Sequence, residues 1–115
     1  MARNKKTGLD WFKVDVTMFD DEKVSLLSSE YGAIGESIYL RLLAKIYKNG
    51  YFYTWNDDNA LMFNRWAGGI YTIQQINDVV ESAVRRNLFD SEIYKNHNIL
   101  TSKRIQQHYQ DVKSK

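Results

Sequence analysis

A mainly α domain with a small β component is the fold class the sequence predicts, and three observations predict it. Apolar residues recur at helical spacing in successive stretches between residues 22 and 112. The run Tyr51-Phe52-Tyr53-Thr54-Trp55 alternates as a strand does, and Ile99-Leu100-Thr101 offers it a return partner. Gly68-Gly69 separates two of the helices by a tight turn. Helix, strand, helix, turn, helix, strand, loop, strand is the element order of a winged helix-turn-helix.

Each element has a local cause. Asp20-Asp21-Glu22 supplies a cap and an acidic first turn for a helix carrying Val24, Leu27 and Tyr31, which Gly32 stops. After the Gly32-to-Gly35 break, Ile38, Leu42 and Ile46 form one stripe and Tyr39, Leu43 and Tyr47 the adjacent one, as suits a central helix. Asn49-Gly50 ends it, with Lys45 and Lys48 placed to offset the negative helix end. Asn56-Asp57 caps the next helix, which runs to about Trp66 and points Ala60, Leu61, Phe63 and Ala67 inward. Thr72-Ile73-Gln74-Gln75 has the capping-box pattern and opens a helix whose core face is Ile73, Ile76, Val80, Ala83 and Val84. Asn87 ends that helix before a short strand, Leu88-Phe89; the polar segment 91–98 reads as loop or one helical turn. A last helix runs from Ser102 to about Val112, carrying Ile105, Tyr109 and Val112.

At 115 residues with 43% hydrophobic content the chain is long enough for one domain with a core. Residues 1–13 read as a basic N-terminal arm with a strand leading into the domain, 14–112 as the winged-helix domain, and 113–115 as a basic C-terminal tail or the start of a linker. No cysteine excludes a disulfide framework or thiolate metal site, and neither a membrane-length apolar stretch nor a secretion signal appears, so a cytoplasmic protein is expected. Net charge is +2, but unevenly spread. Residues 1–13 carry Arg3, Lys5, Lys6 and Lys13 against Asp10, and residues 103–115 carry Lys103, Arg104, Lys113 and Lys115 against Asp111. Segment 14–36 is acidic, so a polyanion is expected to meet the ends and avoid that segment.

Enzymatic chemistry finds little support. His97 and His108 lack partners at metal spacing, and Asp20-Asp21-Glu22 and Asp57-Asp58 are accounted for as helix caps. Gly32-x-x-Gly35 and Gly68-Gly69 do not follow a strand and open a helix as a phosphate cradle requires. A non-enzymatic role without cofactor, metal or small-molecule substrate is expected. For binding, Gln74, Asn77 and Arg85 on the outer side of the Thr72 helix are the right types to read base edges, although Asp78 and Glu81 beside them suit an ordinary solvated face equally well. Arg85-Arg86 and Lys103-Arg104 flank the 88–101 region and suit phosphate contacts, or dipole compensation and solvation, in equal measure. The aromatic run is read as core in preference to a stacking platform, because burying large aromatics together stabilises so small a domain by several kcal/mol, about 1.5 to 3 for each side chain.

Several segments together carry a resemblance. Lys5-Lys6-Thr7-Gly8-Leu9-Asp10-Trp11-Phe12, Phe19-Asp20-Asp21-Glu22-Lys23, Lys45-Ile46-Tyr47-Lys48-Asn49-Gly50-Tyr51, and Ile99-Leu100-Thr101-Ser102 with Ile105-Gln106 and Tyr109 resemble the N-terminal domain of a family of phage and prophage proteins long catalogued as a domain of unknown function. That family is similar to phage replisome organisers and, more distantly, to DnaD-type primosome proteins. The resemblance implies a winged-helix head acting in replication initiation, with double-stranded DNA and replication proteins as partners, and it supplies no catalytic residues. Asn87 and Asn98 stand where the family commonly has glycine, and both tolerate the left-handed conformation. The expected contact set is therefore Gln74, Asn77, Arg85, Arg86, Lys103 and Arg104, with Lys5 and Lys6 on the arm. The alternative is an interaction or self-assembly module, a possible homo-oligomer, without direct DNA contact.

Overall fold

A computed structural model describes residues 8–114. Among them, a 3₁₀ turn at Met18–Asp20 precedes α1 (Glu22–Lys48), β1 (Tyr53–Thr54), α2 (Asp57–Trp66), α3 (Ile73–Arg85), α4 (Ser91–His97), β2 (Ile99–Leu100) and α5 (Lys103–Lys113). The two strands pair antiparallel, Tyr53 opposite Leu100 and Thr54 opposite Ile99. The domain is thus mainly α with a small β part.

The helix starts lie where the local chemistry puts them. Asp21 accepts from the backbone N–H of Lys23 and Val24, Asn56 from that of Asn59, and Ser102 from that of Ile105. Thr72 and Gln75 form the reciprocal capping box of α3. The expected break at Gly32 is real: φ 65° and ψ −154° there bend α1 into two helical segments that follow one another directly. Asn87 at φ 59° and Asn98 at φ 54° take the left-handed turns glycine would favour.

The core lies between α1 and α3, with α2 against α3. Ile38, Leu42 and Ile46 of α1 meet Ile76, Val79, Val80 and Ala83 of α3, and all are buried. The aromatic run is core. Tyr51 and Trp55 are buried, Tyr53 is half-buried and packs against the core, and Phe52 faces outward. Trp55 stands edge-on to Phe63 at 5.9 Å, and Tyr51 edge-on to Tyr109 at 5.1 Å. Tyr51 holds a positive φ of 76°, and its carbonyl accepts from Thr101 Oγ1 and Gln106 Nε2 at 2.9 and 3.0 Å, which ties the end of α1 to α5.

Several expectations are corrected. Leu88-Phe89 forms no strand; Phe89 is a fully buried core residue beside Tyr39, and its amide closes a turn onto the Ala83 carbonyl. The 91–98 segment is a two-turn helix, because Asp90 accepts from the Ile93 N–H and so caps it. Leu61 points to solvent, since α2 buries only the Ala60, Phe63 and Ala67 side. A polar residue also enters the core: Ser82 is buried on the α1 side of α3, where its hydroxyl donates to Glu30 Oε1. Residues 8–13 contain no strand; they run beside the end of α1 instead.

Candidate nucleic-acid interface

The outer face of α3 is held by its own neighbours. Gln74 Nε2 donates to Asp78 Oδ1 at 2.7 Å, and Asn77 Oδ1 accepts from the Trp55 indole N–H at 3.3 Å. Both amides line a groove of about 470 Å³ together with Asp57, Asp78, Glu81 and Tyr94. Three carboxylates and no lysine or arginine line that groove, so its potential is negative.

The arginines at the end of α3 are also engaged. Glu30 Oε1 accepts from Arg86 Nη2 at 2.6 Å, from Arg85 Nη2 at 3.2 Å and from Ser82 Oγ at 3.1 Å. The hydrogen bond from Arg86 is the main reason the Glu30 carboxyl is held below its ordinary pKa. Arg85 stays largely exposed while Arg86 lies mostly under cover, so Arg86 is the more committed of the two. Glu81, four residues before Arg85 on the same helix, is not its ion-pair partner. Arg104 is ion-paired with Asp15. Lys103 has no ion pair among the described residues; it lines a groove of about 700 Å³ in which Lys13, Lys23 and Arg104 are matched by Asp15, Asp21, Asp90 and Glu92.

A second basic region gathers at the C-terminal end of α1. The Leu9 N–H donates to the Tyr47 carbonyl at 3.0 Å, and Gly8 passes so close to the Lys48 carbonyl that a Cβ would collide with it. Phe12 stacks on Tyr47 at 5.0 Å between centroids. From the other terminus, His108 Nδ1 pairs with the Tyr47 hydroxyl at 2.5 Å, and Lys113 Nζ lies 5.7 Å from the Tyr109 ring, itself against Tyr51. Burial pushes the Tyr47 phenol up to about 12, so it stays a neutral O–H at physiological pH. The stretches leading to both basic ends therefore run onto the same helix end, beside Lys48. Lys5 and Lys6 lie outside the described residues. No ion pair among the described residues holds Lys13, Lys48 or Lys113.

The expected set thus divides. Gln74 and Asn77 share the acidic groove, Arg85 and Arg86 share Glu30, and Lys103 with Arg104 stands apart at the start of α5. Lys48 and Lys13 were not singled out from the sequence for binding. Lys13 belongs to the charge excess of residues 1–13, and Lys48 offsets the negative end of its own helix; neither feature says where the ends of the sequence fold. No helix of the described residues is long and apolar enough to cross a membrane.

Comparison with known proteins places the chain. Residues 11–105 match the family described as Lin1244/Lin1753-like, N-terminal. The chain is 32% identical over 109 residues to the uncharacterized phage-related protein Lin1244/Lin1753 of Listeria innocua serovar 6a (strain ATCC BAA-680 / CLIP 11262). That alignment covers 95% of this chain and 35% of the relative, so the chain spans about a third of the curated protein it matches. No solved structure matches it. With most of its length inside the family match, the chain belongs to the Lin1244/Lin1753-like N-terminal family of phage-related proteins.

Proposed function

We propose that this domain is a non-enzymatic, DNA-contacting head of a phage-related protein acting in replication initiation, and that it grips the phosphate backbone with lysines of its first and last segments and of the end of α1. One observation carries this reading. Gly8-Leu9 and the His108-to-Lys113 stretch both abut the end of α1 at Tyr47 to Tyr51, which brings the approaches to two lysine-rich termini to one side of the domain. Lys13, Lys48, Lys103 and Lys113, with Lys5 and Lys6 on the arm, are the proposed phosphate contacts, because none of the first four is spent on an internal carboxylate. The order α1, β1, α2, α3, β2 supports derivation from a winged helix-turn-helix in which α4 stands in the place of the wing. Base reading by Gln74 and Asn77 is the weaker part of the expected set, since duplex phosphates near α3 would face Asp57, Asp78 and Glu81.

The test is a titration of labelled duplex DNA at several salt concentrations. Backbone gripping predicts affinity that falls with log salt by about 0.9 for each phosphate neutralised and that depends little on sequence. A salt-independent affinity, or none, would remove the proposal. A second reading, assembly with other replication proteins without DNA contact, is favoured by the acidic groove along α3. Capture of a basic partner by a protein that shows no DNA affinity would put that reading first.

A further inference from the structure

We propose that the outer face of α2, with the adjoining edge of α1, is a docking site for an acidic amphipathic segment of a partner protein. Leu61, Met62, Trp66 and Ile70 are 57%, 64%, 42% and 61% exposed. A single exposed leucine is ordinary, but four large apolar residues within one helix and the turn after it form a patch of the kind interfaces cover. On the α2 surface Leu61 neighbours Arg65 and Met62 neighbours Trp66, each pair four residues apart. Beyond Trp66 lies α1, whose Arg41 Cζ and Lys45 Nζ stand 5.5 and 4.4 Å from the indole ring centroid. An apolar centre therefore has cations on both flanks, and none of Arg41, Lys45 and Arg65 has an ion pair among the described residues.

The occupant follows from that chemistry. A duplex offers phosphates to the cations but little apolar surface to cover Leu61, Met62 and Ile70. Base stacking on Trp66 competes with the two cations already over the ring and with Phe63 at 5.7 Å. A helix or extended segment with leucine-like anchors and flanking carboxylates satisfies both parts, and tryptophan, methionine and arginine are the residues that interfaces favour. Lys45 is held below its ordinary pKa, first by burial and then by Lys48, and an incoming carboxylate would act in the opposite direction by favouring its charged form. Asp57 and Asp58 in the first turn of α2 set the direction: the partner's carboxylates lie toward Arg65 and Lys45, away from the helix start. This site is independent of the DNA-contact reading.

The probe is a fluorescein-labelled helical peptide with leucines at i, i+3, i+4 and i+7 and glutamates elsewhere, titrated into the whole chain by fluorescence anisotropy. Saturable binding is expected. The combined variant Leu61→Ser, Met62→Ser, Ile70→Ser should weaken it about tenfold or more, as should Arg41→Gln with Lys45→Gln, while duplex DNA affinity is kept by the serine variant. Polyglutamate of equal length binding as tightly, or the serine variant binding as well as the parent, would overturn the site. Amide shift perturbations in the unmutated chain give a readout that does not depend on a variant folding. Perturbations on α2 and the facing turns of α1 support the proposal, and perturbations confined to α5 or to the acidic groove overturn it. Sedimentation covers the other occupant: a dimer of the parent chain that the serine variant abolishes would assign the face to a second copy instead.

Discussion

The outer face of α3 and the C-terminal end of α1 are both rich in the side chains that bind nucleic acid, yet they differ in what the fold does with them. On α3 and at its end, Gln74, Asn77, Arg85 and Arg86 all have internal partners: Asp78, the Trp55 indole and Glu30. At the end of α1, Lys48 is joined by stretches from both ends of the chain, and no carboxylate of the described residues takes its charge. A cation already neutralised at 2.6 Å must give up that partner before it can meet a phosphate, whereas a solvated lysine gives up only counterions and water. Residue type nominates a binding surface, and internal pairing decides how much of it is available.

The largest expected effect concerns the α3 side. Trp55 is buried, 4% exposed, and its indole donates to Asn77, so Trp55→Ala should cost about 3 to 5 kcal/mol of stability in a denaturant melt. A melt unchanged by this substitution would free Asn77 from its structural role and weaken the contrast between the two regions. On the other side, replacing Lys13, Lys48, Lys103 and Lys113 with alanine should flatten the salt dependence of duplex binding by up to about 0.9 for each phosphate left without its lysine. Gln74→Ala with Asn77→Ala should leave that slope unaltered. The opposite pattern, a slope moved by the two amides and not by the lysines, would return the interface to α3.

Glu30→Gln joins the two regions in one experiment. Removing the carboxylate charge releases Arg85 and Arg86, so DNA affinity should rise and the salt slope steepen by up to about 2, if both arginines then reach phosphates. No change would mean that these arginines face away from the DNA path altogether. Gly8→Ala should have a smaller effect, because the added Cβ meets the Lys48 carbonyl and displaces the arm from the helix end. Reduced DNA affinity with little change in melting temperature is the expected outcome, and an unaltered affinity would detach the arm from the interface.

The pH dependence sharpens the α3 side further. Because the Glu30 carboxyl is held below its ordinary value of 4.5, its contribution is complete above that pH and is lost as pH falls through the lower folded value. A carboxyl carbon titration by NMR should show Glu30 protonating below 4.5 in the parent chain and closer to that value in Arg86→Ala. Titration at the same pH in both would show that Arg86 does not hold it.

Much of the fold was legible because its causes are local. Asp21, Asn56, Thr72 and Ser102 each cap the helix that follows within three residues, and Gly32 breaks α1 where a left-handed backbone favours glycine. Asn87 and Asn98 turn the chain for the same kind of reason. The segment 91–98 was less legible although its cap is local too: Asp90 lies beside Phe89, and an apolar pair there suggested a strand. Phe89 is apolar because it fills the space beside Tyr39, far earlier in the chain.

Except at α4 and Leu61, the sequence alone determined the helix starts, the positions of the turns and the stripes that face the core, since capping and periodicity act over a few residues. Tertiary structure alone decided which charges stay available. Glu30 reaches Arg86 across 56 positions, Asp15 reaches Arg104 across most of the chain, and stretches from the two chain ends meet at Tyr47. Ion pairing follows distance in space, which no spacing along the chain records, and that is why the acidic segment was visible as a charge but not as the partner of the arginines.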